Sequence, residues 1–469
     1  LGDVYKRQVR DRSDWCISRQ RTWGVPIPIF YCEDGTPIME KEVFETIADL
    51  FGEYGSNVWF EREAKDLLPS GYTNPKSPNG IFTKETDIMD VWFDSGSSWT
   101  ELEARGGDFP CDIYFEGSDQ YRGWFNSSLI VGTAVKGRAP YKEVLSHGYV
   151  CDSKGEKMSK SIGNVINPLD IINKNGADVF RLWVMVSDFK QDLRLGESNI
   201  KQVSEQYRKI RNTFRFLLGN INPEDFNPKQ DMVAYENLEA VDQYILVRLN
   251  EVVAEVRNDI LKYDYVAVNK ALMNFMVNEL SSYYCDFTKD ILYCNAVNDK
   301  RRRQVQSVYW LCTDALVRMW APFLCYTTEE VWKFFGSDEA ESVHYLHLPE
   351  VRDYANAAEI KAQFEALLDV RSVVMKALED ARNENLIHSA QEANVELTCT
   401  EADKELLEKG LGKDLAQWLI VSSASVKTAD SRSAAISKAT GTKCPRCWNY
   451  SEEADSEGLC PRCHAVINA

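Results

Sequence analysis

Along residues 15–187 short apolar runs alternate with stretches of helical period, the pattern of an α/β layer. Within it, Asp112-Ile113-Tyr114-Phe115 predicts a buried strand ending at Glu116, a helix is expected over 120–135, and a second strand over 144–150. Asn167-Pro168 predicts a helix start, because asparagine caps well and proline lacks only an N–H that the first turn leaves unbonded. From 197 to 335 the period becomes that of long amphipathic helices, with Trp310, Leu311, Ala315, Leu316 and Met319 on one apolar face. Such helices pack as a bundle. Residues 343–348 are apolar with His344 and His347 interspersed, and read as strand or loop against that bundle in preference to a metal site. Residues 357–427 combine a helix over 364–383 with strand-like Asn394-Val395-Glu396-Leu397-Thr398, a small α+β tail. At 428–442 the composition turns to Ala, Ser, Lys and Thr, and a linker is expected.

Composition narrows the class without naming a chemistry. The chain of 469 residues is 44% hydrophobic and 27% charged, as in an ordinary soluble protein of several domains. No run approaches the roughly eighteen apolar residues of a membrane span, and no signal peptide is visible. Thirteen cysteines, an odd number, point to thiols in a reducing compartment, so a cytoplasmic location is expected. The formal charge of −18 opposes indiscriminate RNA binding but permits local basic stripes. Two are candidates: Arg208, Lys209, Arg211 and Arg215 on one helix, and Lys300-Arg301-Arg302-Arg303 at the start of another. For each, a solvated face is the alternative. Residues 1–8 are set aside as truncation or junction sequence.

Two motifs carry most of the chemistry. Lys157-Met158-Ser159-Lys160-Ser161, followed by Ile162-Gly163-Asn164, places two ammonium groups on a loop whose small, turn-forming residues leave it free to move and to close on a triphosphate. Near the C-terminus, Cys444-Pro445-Arg446-Cys447 and Cys460-Pro461-Arg462-Cys463 repeat one knuckle across twelve intervening residues. Four thiolates satisfy tetrahedral Zn²⁺ with no open position, so one structural zinc per chain is expected at Cys444, Cys447, Cys460 and Cys463. A redox pair is the rival reading.

The lysine loop resembles the KMSKS signature of class I aminoacyl-tRNA synthetases, and three further blocks extend the likeness to the isoleucine enzymes of bacterial type. They are Trp15-Cys16-Ile17-Ser18-Arg19-Gln20-Arg21-Thr22-Trp23-Gly24-Val25-Pro26, Asp90-Val91-Trp92-Phe93-Asp94-Ser95-Gly96, and Glu116-Gly117-Ser118-Asp119-Gln120-Tyr121-Arg122-Gly123-Trp124-Phe125, in the family's order. The resemblance implies the second half of a Rossmann-type catalytic domain over 9–195 and a helical anticodon-binding domain over 196–355. An α+β tail over 356–430 and a four-cysteine zinc element over 440–469 complete the expected α/β-plus-bundle architecture. It also implies roles. Lys157 and Lys160 would act in catalysis, Glu116, Gly117, Asp119 and Gln120 would hold the aminoacyl-adenylate, and Trp92 and Trp124 would surround the amino-acid side chain. His147, Gly148, Met158 and Lys160 would contact ATP, which arrives with Mg²⁺. The implied partners are tRNA(Ile), ATP and L-isoleucine, with no membrane and a monomeric state.

One family signature is not found. The five histidines, His147, His344, His347, His388 and His464, form no His-Ile-Gly-His, and the family's inserted editing domain is not seen ahead of the Trp15 block. The chain therefore reads as the C-terminal half of such an enzyme, inactive by itself. A valine enzyme of the same class is the near alternative, and a non-catalytic RNA-binding protein is the alternative from another class.

Overall fold

The computed structural model describes residues 10–11 and 13–468, so the reading of residues 1–8 and the expected domain start at residue 9 lie outside the described residues. Two compact units are present: residues up to Tyr149 with Phe189–Asp192, and Val150–Asp188 with Leu193–Ala469. The two units thus part near 149, within the span 9–195 expected for the catalytic domain. The reason is packing: Val179, Leu182, Trp183, Met185 and Leu195 are buried in the same core as the bundle helices.

In the first unit, parallel strands Cys111–Gly117 and Tyr141–His147 pair with Tyr114 opposite Val144 and Gly117 opposite His147. The helix Trp124–Lys136 connects them. The first strand was expected to be buried, yet only Tyr114 and Gly117 are, while Ile113 and Phe115 are exposed. Tyr114 packs on Trp124 and Phe125 of the connecting helix, and the next residues along a strand point the opposite way. The helix expected from 120 breaks into a 3₁₀ turn, Ser118–Tyr121, and a helix beginning at Trp124. The second strand stops at His147, earlier than expected, where the Gly148 N–H donates to the Phe189 carbonyl at 2.9 Å. A separate small core forms upstream, where helix Lys41–Tyr54 packs Val43 and Ile47 with Phe30, Ile38, Trp59 and Leu67.

In the second unit, Asn167 caps helix Pro168–Asn175 as expected, its Oδ1 accepting from the Leu169 N–H at 3.1 Å. Helices Glu197–Asn220, Ala240–Leu261, Lys300–Trp320 and Cys325–Phe335 share one core with Leu316, Met319 and Trp320 at its centre. Between them Tyr265–Asn274, π-helical Phe275–Tyr284 and Cys285–Cys294 follow one another directly. Residues 343–348 form a 3₁₀ turn, Val343–Tyr345, and then loop; His344 Nε2 lies 3.0 Å from the Cys325 carbonyl oxygen. Among the described residues neither histidine belongs to a metal-binding group.

The tail departs from expectation in two ways. Its helix starts earlier, spanning Ala357–Asn383, and the expected linker holds a strand, Ser433–Lys438. Ser433–Lys438 pairs antiparallel with the central strand Ala393–Cys399, which pairs parallel with Ser423–Thr428. Ala434 and Ile436 turn onto the core while their neighbours face out, a period of two hidden in bland composition. Phe364, Val374 and Leu397 belong to the same core as Trp320, so packing is continuous across 355. No helix among the described residues is long and apolar enough to cross a membrane.

Candidate functional site

In the first unit the Glu116 block lies at the C-terminal end of two parallel strands, where open α/β sheets bind ligands. Two glycines shape it. A Cβ on Gly117 would sit 2.8 Å from Asp119 Oδ1, and one on Gly123 would sit 2.6 Å from Gln120 Oε1 and 2.7 Å from Trp92 Cη2. Their absence lets three of the expected site side chains fold over bare backbone. Gln120 is fixed at both ends, accepting from the Trp124 N–H at 3.0 Å and donating to Asp119 Oδ2 at 3.3 Å. Asp119 also accepts from the Tyr149 hydroxyl, which raises the tyrosine's pKa. Glu116 Oε2 accepts from the Gly117 N–H at 2.9 Å and lies 3.8 Å from His147 Nε2. A carbonyl can only accept, so the 2.7 Å contact of His147 Nδ1 with the Gly148 oxygen assigns the proton to Nδ1. In the neutral ring Nε2 is then an acceptor. Gly148 itself is pressed onto backbone: a Cβ there would come within 2.3 Å of Gln191.

Trp124 is held rigidly. Its ring stacks on Tyr114 at 4.2 Å and its Nε1–H donates to the Ser95 carbonyl at 3.0 Å. Trp92 is more open, 42% exposed, with its N–H bonded to Asp90 Oδ1 at 3.2 Å. Asp90 is a joint that sequence reading did not single out. Buried, it also accepts from Trp15 Nε1 at 2.9 Å and Arg19 Nη2 at 2.7 Å, tying the Trp15 block to the Trp92 block across more than seventy residues. The signal available was a lone aspartate before an apolar pair, which is the ordinary mark of a helix cap.

In the second unit the lysine loop is less free than its composition suggests, because Asn164 pins it. Asn164 Oδ1 accepts from the Ser159 N–H at 2.9 Å, and Nδ2 donates to Asp152 Oδ2 at 3.0 Å and to the Lys157 carbonyl at 3.2 Å. Asp152 Oδ1 accepts from the N–H groups of Lys154 and Glu156, and these bonds, the one from Asn164 foremost, lower its pKa. Gly163 takes a φ of 75°, the left-handed conformation that closes the turn. Met158 packs against the main core, whereas Lys157 and Lys160 are exposed and have no ion-pair partner among the described residues. An anchored backbone carrying two unneutralised ammonium groups can meet a polyanion without first breaking a salt bridge.

The four knuckle cysteines converge. Their sulfurs all lie within 4.8 Å of one another, with Cys447 and Cys460 at 3.6 Å. Zn–S bonds of about 2.3 Å in a tetrahedron put sulfurs roughly 3.8 Å apart, so the set fits zinc with modest tightening. Burial opposes a thiolate at Cys444, Cys447 and Cys463 and holds the pKa values of Cys447 and Cys463 up, while the N–H groups of Cys447, Cys460 and Arg446 bring that of Cys444 down. Metal would supply the chemistry of a closed, structural site, with no position left for substrate.

The two basic stripes separate. Arg301 pairs with fully buried Asp242 at 2.5 Å, Arg302 with Asp225 at 2.5 Å, and Arg303 with Asp225 and Asp231 at 3.7 Å. Those three arginines are turned to internal partners, and of the run only Lys300 is exposed. On the other helix Arg208 pairs with Glu205 and Arg211 with Glu330, while Lys209 and Arg215 are exposed.

A class I synthetase is what this fold and these sites describe. Residues 2–196 match the class I tRNA synthetases (I, L, M and V), residues 242–397 the anticodon-binding domain of tRNA ligase, and residues 441–466 the zinc finger found in FPG and IleRS. The chain belongs to that family. Within it, the chain is 47% identical over 98% of its length to an isoleucine–tRNA ligase of Limosilactobacillus reuteri and 48% identical over 98% to one of Bacillus cereus (strain AH820). It spans about half, 51%, of each relative's length. Among solved structures, a LeuRS–tRNA–LeuAMS complex of Agrobacterium radiobacter shares the fold at a TM-score of 0.55 and 19% identity, covering 76% of this chain and 45% of that one. A methionyl-tRNA synthetase of Mycobacterium tuberculosis in complex with methionyl-adenylate gives 0.50 at 14% identity, covering 73% and 59%.

Proposed function

We propose that the chain serves isoleucine–tRNA ligation: ATP-dependent formation of isoleucyl-AMP, then transfer of the isoleucyl group to tRNA(Ile). The single observation that carries this reading is the 47–48% identity to isoleucine–tRNA ligases along nearly the whole chain. The Gly-Ser-Asp-Gln-Tyr-Arg-Gly-Trp-Phe run and the four-cysteine element favour isoleucine over valine.

In activation, the isoleucine carboxylate attacks the α-phosphorus of ATP in line and pyrophosphate leaves. The protein's part is positioning and charge stabilisation. Lys157 and Lys160 meet the negative charge on the phosphates, which Mg²⁺ accompanies. Glu116 and Asp119 accept from the substrate ammonium group and ribose hydroxyls, Gln120 aligns them, and His147, Gly148 and Met158 contact the nucleotide. Trp124, immobile against Tyr114, and Trp92 bound the side-chain pocket. The helical bundle takes the tRNA, and the protein acts as a monomer in the cytoplasm.

For the chain taken alone we infer RNA binding without activation, since it carries no His-Ile-Gly-His. The test is amino-acid-dependent exchange of pyrophosphate into ATP, run on the chain alone and on the chain joined to a segment carrying that signature. Isoleucine-dependent exchange is expected only in the joined form. Valine preferred over isoleucine there would overturn the substrate, and exchange by the chain alone would overturn the division of labour.

A further inference from the structure

Outside the cysteines, the zinc element's most specific contacts are made by the two arginines inside its knuckles, and both reach one helix of the bundle. Arg462 forms a fork on Asp290 of helix Cys285–Cys294, with Nη1 on Oδ2 at 2.5 Å and Nη2 on Oδ1 at 2.6 Å. Arg446 donates to the carbonyls of Cys294 at 2.5 Å and Tyr293 at 3.3 Å. Those carbonyls belong to the last turn, which has no intrahelical donors for them, and a cation there also suits the helix dipole. Gln417 from the tail donates to the same Asp290 Oδ2 at 2.8 Å, so three parts of the chain meet on one carboxylate.

Core packing follows the same plan. The buried residues of the element are Cys444, Leu459 and Cys463, and the cluster is completed by Cys294 from the bundle helix. Each arginine sits between two metal-ligating cysteines, so its backbone position is set by the tetrahedron. Neither knuckle has a core of its own to hold that position otherwise.

We propose that Arg446 and Arg462 are positioning residues through which zinc occupancy locks the end of helix Cys285–Cys294 and the adjoining tail segment. Coupling between two equilibria is reciprocal, so the Asp290 contact in turn strengthens zinc retention. The inference concerns zinc and docking alone and does not depend on which amino acid the protein activates.

The test uses the whole zinc-loaded chain and three variants: Asp290→Asn, which lies outside the zinc element and preserves side-chain volume, Arg462→Gln and Arg446→Gln. Zinc transfer to EDTA should be about 10- to 100-fold faster in each, the usual cost of losing a contact just outside the metal ligands. Stripping zinc from the unaltered chain should speed amide hydrogen exchange at 292–295 and 417–421 while helix Lys300–Trp320 keeps its protection. Unchanged zinc transfer in the variants, or unchanged exchange at 292–295 on stripping, would overturn the proposal. If Asp290→Asn lowers the bundle's thermal transition, the two knuckle variants, which alter no bundle residue, decide by the same measurements.

Discussion

Replacing Asn164 tests whether the lysine loop works as an anchored element. Asn164→Ala removes two bonds to neutral groups, those with the Ser159 N–H and the Lys157 carbonyl, and one to the Asp152 carboxylate. Neutral bonds contribute about 0.5–1.5 kcal/mol each. The bond to Asp152 is screened by solvent, so the two neutral bonds set the magnitude, about 1–3 kcal/mol of local order. At about 1.36 kcal/mol per tenfold, that is a shift of up to about 10² in the balance between ordered and open loop. Hydrogen exchange at Ser159 and Lys160 in the chain should rise by up to that factor. In the joined enzyme kcat/KM for exchange should fall about 10- to 100-fold, because both ammonium groups lose their common anchor. Asn164→Asp keeps the acceptor for the Ser159 N–H but turns a carboxylate onto Asp152, so it should be at least as damaging despite near-identical shape. Unchanged protection at Ser159 together with unchanged kinetics in both variants would refute the anchoring argument.

Further outcomes follow from other contacts. Lys160→Ala in the joined enzyme should slow activation by about 10² to 10³, the magnitude for losing one charge contact made in the transition state, as read by single-turnover adenylate formation. Arg301→Ala leaves the buried Asp242 charge without its partner and should destabilise the bundle by about 3–5 kcal/mol in urea titration. It should not change the salt dependence of RNA binding, whereas Arg215→Ala should lower that slope by about 1 if the exposed helix face contacts phosphate. In the tail, the hydrogen bonds from Arg432 hold the Asp403 carboxyl down at about 2. A depressed carboxyl stabilises above its unfolded value and loses that contribution as pH falls through its folded one. The tail should therefore lose on the order of 2 kcal/mol between about pH 4 and pH 2, seen by Trp418 fluorescence in denaturant, and Arg432→Ala should abolish that part of the acid sensitivity.

Sequence alone determined the features whose physics is local. Cys-x-x-Cys brings two sulfurs to one side of a turn whatever surrounds it, and Asn167-Pro168 starts a helix with its own atoms. The 3.6-residue period of Lys300–Trp320 marks a helix before any partner is known, but not which side is buried, since residues 304–309 are buried without a break. Tertiary structure decided whatever depends on a partner far along the chain. Arg301 and Arg302 look like a solvated or RNA-binding run until Asp242 and Asp225, 59 and 77 residues away, are folded against them. Asp90 looks like a cap until Trp15 and Arg19 close on it. Ser433–Lys438 has no intrinsic claim to be a strand, and becomes one because Ala393–Cys399 offers an open edge and the core accepts Ala434 and Ile436. The knuckle arginines have no assigned partner in the sequence, and gain one only where the bundle helix supplies Asp290 and two unpaired carbonyls. A short segment cannot repay the entropy of such pairings by itself, so they exist only where the rest of the fold has already brought the partners together.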